Sequence, residues 1–63
     1  MKQEYYIMKS EPDKDLYLSV DGEFTDTLDN YTVYFNETVA IIIVRTLRNI
    51  SPWQDFQMVL RIR

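Results

Sequence analysis

The stretch NETVAIIIVRTLRNISP, residues 36–52, places six consecutive apolar residues at 39–44 in a chain of 63 residues. Whatever this run becomes must be covered by a large share of the rest of the chain. A strand buried on both faces would suit its β-branched side chains. The flanking residues favour a helix. Asn36 is a good N-cap, and Glu37 just inside it complements the positive end of the helix dipole. Ala40, Ile43, Val44 and Leu47 follow the i, i+3, i+4, i+7 spacing of one buried face. Arg45 and Arg48 fall toward the C-terminal end, where cations are favoured, and Pro52 lies just beyond it. A length of about 13 residues exceeds a typical strand of roughly five or six. Each β-branched residue costs a helix only ~0.5 kcal/mol, which burial readily exceeds. The spacing therefore predicts a helix.

The remaining apolar residues alternate in the manner of strands. EYYIMK at 4–9 is rich in β-formers, and Ser10-Glu11-Pro12-Asp13-Lys14-Asp15 ends it with turn chemistry. LYLSV at 16–20 alternates and stops at Asp21-Gly22, a tight-turn dipeptide in which the only glycine of the chain suits a positive φ. EFTDTLDN at 23–30 reads as a connection with a short helical turn carrying Phe24 and Leu28. YTVYF at 31–35 reads as a third strand with Tyr31, Val33 and Phe35 inward, and FQMVLRIR at 56–63 is the clearest strand of all. The expected architecture is α+β: a mainly antiparallel four-stranded sheet in ββ(β)αβ order, with one helix packed on one face. Ala40, Ile43, Val44 and Leu47 would then meet Tyr5, Ile7, Leu16, Leu18, Val20, Tyr31, Val33, Phe35, Phe56, Met58, Leu60 and Ile62. Val39, Ile41 and Ile42 are left over as a possible oligomer contact.

Residues 1–63 have room for a single domain, and a domain of this size buries only ~60% of the surface its unfolded chain exposes. No cysteine is available for a disulfide, and with no histidine either the usual zinc, haem and iron–sulfur ligands are missing. Self-association into a homodimer is the remaining source of support. An apolar fraction of 46% is too high for a disordered chain. The longest apolar run is far short of the roughly 20 residues a membrane span needs, and the opening MKQEYYIMKSEPDKD lacks a secretory pattern. A cytoplasmic setting is the expectation. Charge is uneven: residues 1–37 carry nine acids against three lysines, and residues 38–63 four arginines against one acid. Such a dipolar chain could steer a partner, although solvated loops account for much of it.

Chemistry at a site needs a nucleophile, a tunable acid or base and a pocket. Here only carboxylates, serines, lysines and tyrosines remain, and the carboxylate pairs Asp13/Asp15 and Glu23/Asp26 lie in expected loops with nothing to desolvate them. The acids at 13–29 do not have calcium-loop spacing. The expectation is a chain that is not an enzyme and uses no metal and no cofactor. Alternation instead turns Tyr6, Tyr17, Tyr34, Arg61 and Arg63 to the face opposite the helix, and tyrosine and arginine are enriched in binding hot spots. Asp21, Glu23 and Asp26 supply an acidic neighbour that could imitate nucleic-acid charge toward a protein partner. The alternative use of such a face is to bind single-stranded nucleic acid, with bases on tyrosines and phosphates on arginines. Net acidity of −3 argues against it, because nucleic-acid binders show a basic footprint.

Tyr6-Ile7, Tyr17-Leu18-Ser19, Phe24-Thr25-Asp26 and the apolar helix with an alanine near its start form a pattern that resembles very small uncharacterised proteins of phages and prophages of Gram-positive bacteria. The segment YTVY before Phe35 departs from that pattern, where a more helical, alanine-containing segment is expected. The resemblance brings no catalytic residues. It implies the cytoplasm of a bacterial host as workplace, and an inhibitor or modulator that binds a host or viral protein.

Overall fold

The computed structural model describes residues 3–29 and 31–62. Five elements follow one another: β1 (Gln3–Ser10), β2 (Asp15–Leu18), β3 (Phe24–Thr25), α1 (Glu37–Ile50) and β4 (Asp55–Ile62). The strands form one sheet in the order β3-β2-β1-β4, with every neighbouring pair antiparallel. The helix covers one face. This is the expected α+β architecture, with its third strand in a different place.

Local chemistry accounts for each turn. The β1–β2 hairpin closes with Glu11 N donating to the Lys14 carbonyl at 2.9 Å, a loop in which Pro12 has no amide to waste. In the β2–β3 hairpin Gly22 takes φ +85° and donates its N–H to the Ser19 carbonyl, so the Asp21-Gly22 reading holds. Asn36 caps α1: its side-chain oxygen accepts from Val39 N at 2.9 Å, and Glu37 sits in the first turn. The helix closes with Ser51 N donating to the Leu47 carbonyl, immediately before Pro52.

The core is small. Ile7, Ala40, Val44 and Phe56 are buried, and Tyr5, Leu18, Phe24, Phe35, Ile43, Leu47 and Met58 pack around them. All four helix positions named from the spacing face the sheet. Ala40 is fully buried, which lets the helix backbone approach the sheet closely. Lys9 lies on the same face, with its ammonium 5.1 Å from the centroid of the Phe24 ring. Phe24 in turn packs on Phe56 with centroids 5.8 Å apart.

The third strand requires a correction. Phe24–Thr25 pairs with β2 as β3, where a helical turn was expected, and it brings Phe24 into the core. Residues 31–35 pair only through isolated bridges, Ser19↔Thr32 and Tyr5↔Phe35. Their role follows from the registers. β1 and β2 are paired from Ser10↔Asp15 to Met8↔Tyr17, and beyond that residues 31–35 bond to both: Val33 N to the Leu18 carbonyl, and Phe35 reciprocally to Tyr5. The segment fills a fork between two diverging strands. Thr32 is buried there, while Tyr31 is 66% exposed, so the expected phase fails at the start of the segment and is kept at its end, where Phe35 packs on the core and Tyr34 turns away from it. Asp29 explains the shift: its carboxylate accepts from Tyr31 N at 2.9 Å, and Thr32 Oγ1 accepts from Asp29 N at 3.1 Å. These side-chain bonds set the entry to the segment, overriding the period-2 reading.

Val20, Leu60 and Ile62 are also exposed, against expectation. Val20 stands at the β2–β3 turn, and Leu60 and Ile62 lie on β4, which among the described residues has a strand neighbour on one side only.

Candidate functional site

The registers assign the two faces of the sheet. Tyr5↔Leu60, Ile7↔Met58 and Lys9↔Phe56 point toward α1, so Glu4↔Arg61, Tyr6↔Val59 and Met8↔Gln57 point away from it. Met8↔Tyr17 adds Tyr17 to the open face. Tyr34 comes from the fork segment: its neighbour Phe35 bridges Tyr5 on the helix side, which turns Tyr34 toward Tyr6.

Four side chains named from the alternation thereby form a continuous row. Tyr6 is its centre, edge-to-face with Tyr17 at 5.7 Å between centroids and with Tyr34 at 6.1 Å. The Arg61 guanidinium then lies 4.8 Å from the Tyr34 centroid. All four are half-buried. Edge-to-face pairs of this kind contribute about 0.5–1.5 kcal/mol each beyond area burial, so the row is held in place as well as displayed. Its electrostatics are graded. The Tyr6 hydroxyl is pushed above its ordinary value, chiefly by burial and then by Tyr17, Tyr34 and the Asp15 carboxylate. Asp15 is thus an acidic neighbour of the row at the β2 end, and Arg61 is its cation at the other. Sequence reasoning put Asp15 in a loop, paired with Asp13, whereas it opens β2, and its separation of two from Tyr17 on that strand places both on the same face.

The other residues singled out from the sequence fall elsewhere. Asp21 belongs to the β2–β3 turn: its carboxylate accepts from the Ser19 hydroxyl and from Glu23 N, the latter at 3.1 Å. The Ser19 bond, then the Glu23 amide, hold its carboxyl below the usual range. Glu23 and Asp26 are exposed beside β3, Asp26 accepting from the Thr27 hydroxyl at 3.2 Å. None of the three touches the tyrosine row through a hydrogen bond or ring contact among the described residues. Arg63 lies outside the described residues. Val39, Ile41 and Ile42 do not form one edge, because positions two apart on a helix are separated by about 200°. Ile42 is 58% exposed on the outer side, whereas Ile41 is half-buried beside β4.

Ile41 lines an open cleft of about 570 Å³ between α1 and β4, with Val44, Arg45, Arg48, Asp55, Gln57 and Met58. At its end Arg48 Nε and Nη2 both donate to the Phe56 carbonyl, at 3.1 and 2.7 Å. The sequence marked Arg48 only as a favourable charge for the helix dipole, and its grip on β4 depends on strand placement. Among the described residues no group of acids is arranged to hold a metal ion, and no helix is long and apolar enough to cross a membrane.

No protein-family model matches this chain, and neither the curated proteins nor the solved structures contain a match.

Proposed function

We propose that the chain is a non-enzymatic protein-interaction module whose contact surface is the row Tyr17, Tyr6, Tyr34 and Arg61. The observation that carries this reading is the ring-to-ring and ring-to-guanidinium contact along the row. Tyrosine and arginine give large contact areas, and side chains already held by one another lose less freedom on binding. The partner is a protein. A row with one cation at one end and the Asp15 carboxylate at the other is a poor phosphate track, which sets the single-stranded nucleic-acid reading second. The resemblance to small phage proteins supports a setting in which the partner is a host protein of the bacterial cytoplasm, inhibited or otherwise modulated by this module.

The test is a comparison of wild type with Tyr17→Glu and Tyr34→Glu in capture from that cytoplasm. A specific captured protein should be lost with both substitutions while circular dichroism stays unchanged. Capture that survives both variants overturns the assignment of the surface. In parallel, binding of a labelled single strand that weakens steeply with added salt would replace the protein-binding reading by the nucleic-acid one.

A further inference from the structure

The edge of β4 carries a second surface, which shares only Arg61 with the tyrosine row. Among the described residues β4 has β1 as its one strand neighbour, and it is eight residues long. The direction of its backbone groups follows from β1. Tyr5 exchanges both its N–H and its C=O with Phe35, at 2.9 and 2.8 Å, so these groups point away from β4. Tyr5 is opposite Leu60, and in an antiparallel pair bonded and non-bonded pairs alternate. The N–H and C=O of Phe56, Met58 and Leu60 therefore face outward. Arg48 confirms the phase independently, because it bonds the Phe56 carbonyl from outside the sheet.

Natural edge strands are normally shortened, charged or covered. Among the described residues this edge is covered at Phe56 by Arg48 and left open at Met58 and Leu60, where the side chains on the helix side are apolar. Leu60 is 44% exposed and Ile62 56%. An open, apolar edge of this length is a template for another strand.

We propose that β4 pairs antiparallel with β4 of a second copy of this chain, joining two sheets into one across a two-fold axis at Val59. The register is constrained. Outward groups must meet outward groups, which excludes every shift by one residue. Centring the pair on Met58 would set Phe56, whose carbonyl Arg48 already occupies, opposite the partner's Leu60 beside the axis, whereas centring it on Val59 moves Phe56 to the end of the ladder, opposite the partner's Ile62. Centring it on Val59 joins Met58 to the partner's Leu60, and Leu60 to the partner's Met58, by about four main-chain bonds.

Side chains complement one another in that register. On the helix side, Met58 meets the partner's Leu60 and Phe56 meets the partner's Ile62, so the exposed Leu60 and Ile62 are covered at the margin of the cleft that Met58 and Ile41 line. On the other side, Val59 meets its own copy, Gln57 meets the partner's Arg61, and Asp55 lies diagonally from that same arginine. Cross-strand diagonals are within reach of long side chains. Opposite charges toward the two ends of one strand complement each other when that strand pairs antiparallel with its own copy.

The experiment combines sedimentation equilibrium with residue-resolved amide exchange on the full chain. Wild type should form a dimer at high micromolar concentration. As concentration rises, the Met58 and Leu60 amides should become protected, while those of Val59 and Arg61, already bonded to β1, change little. Leu60→Lys should raise the dissociation constant at least about tenfold by placing two cations in the paired edge. Asp55→Arg and Arg61→Asp should each weaken the dimer, and the double exchange should restore it, which a merely misfolded variant would not do. A wild-type monomer at that concentration overturns the proposal. So does a dimer whose Met58 and Leu60 amides exchange as fast as in the monomer, the result expected if copies meet through the tyrosine row.

Discussion

The two faces of the sheet are built from alternate residues of the same strands and are held by different physics. Under α1, Ile7 and Phe56 are buried against Ala40 and Val44, and stability there comes from apolar surface removed from water. On the other face Tyr6, Tyr17 and Tyr34 remain half in water and are ordered by edge-to-face contacts with each other and with Arg61. The first face makes the fold and the second displays an arranged surface. A single-residue slip of β1 would exchange the two sets, which is why the register along Gln3↔Ile62 to Ser10↔Asp55 is strongly specified.

Substitutions that act on one face at a time should separate these contributions. The largest effect is expected from Ile7→Ala, since Ile7 is fully buried at the centre of the core. Loss of its transfer energy and the cavity left behind should lower unfolding stability by about 2–5 kcal/mol in a urea titration, enough to unfold much of so small a domain. Tyr6→Leu should cost less, about 1–3 kcal/mol, because it keeps apolar bulk and removes two ring contacts. Equal losses for the two variants would mean that the open face is as much core as the covered one. Arg61→Ala should cost only about 0.5–1 kcal/mol, with Arg61→Lys retaining part of it, measured by the same titration.

The smallest effects are those of pH. The Tyr6 hydroxyl is raised above its ordinary value of 10.0, so its contribution is complete below that value and is lost as pH rises through the folded value. Tyr6→Phe should therefore lose less stability than wild type on alkaline titration, while matching it closely near neutrality. Asp21 behaves in the opposite sense. Its carboxyl is held below 3.8, so its contribution is present above that value and is lost as pH falls through the folded one. Removing the Ser19 hydroxyl in Ser19→Ala should flatten that acid limb. An unchanged acid limb would show that the Asp21 bond in the β2–β3 turn does not couple to folding.

Much of both faces was legible in the residues, because the signals are local. The cap at Asn36, the helical spacing from Ala40 to Leu47 and the alternation of Tyr6 with Ile7 each depend on a few neighbouring positions. Tyr6, Tyr17, Tyr34 and Arg61 could be assigned to one face on that basis. Their contact could not, since Tyr34 reaches Tyr6 only through the fork between β1 and β2. The same limit applies to Phe24, whose helix-like spacing with Leu28 gave way to pairing with Leu18.

By itself, then, the sequence determined that Glu37–Ile50 is helical, that β1, β2 and β4 are extended, where those strands turn and which of their side chains share a face. Capping, backbone preference and periodicity act over a few residues, and they survive whatever the distant chain does. Only the tertiary structure decided that Phe24–Thr25 takes the place of the third strand, that residues 31–35 close the fork, that Arg48 grips β4, and that β4 is left as an edge. Those outcomes depend on which strands become neighbours. Hydrogen bonding between strands is nearly indifferent to residue identity, so the choice is made by how the whole apolar set can be covered at once.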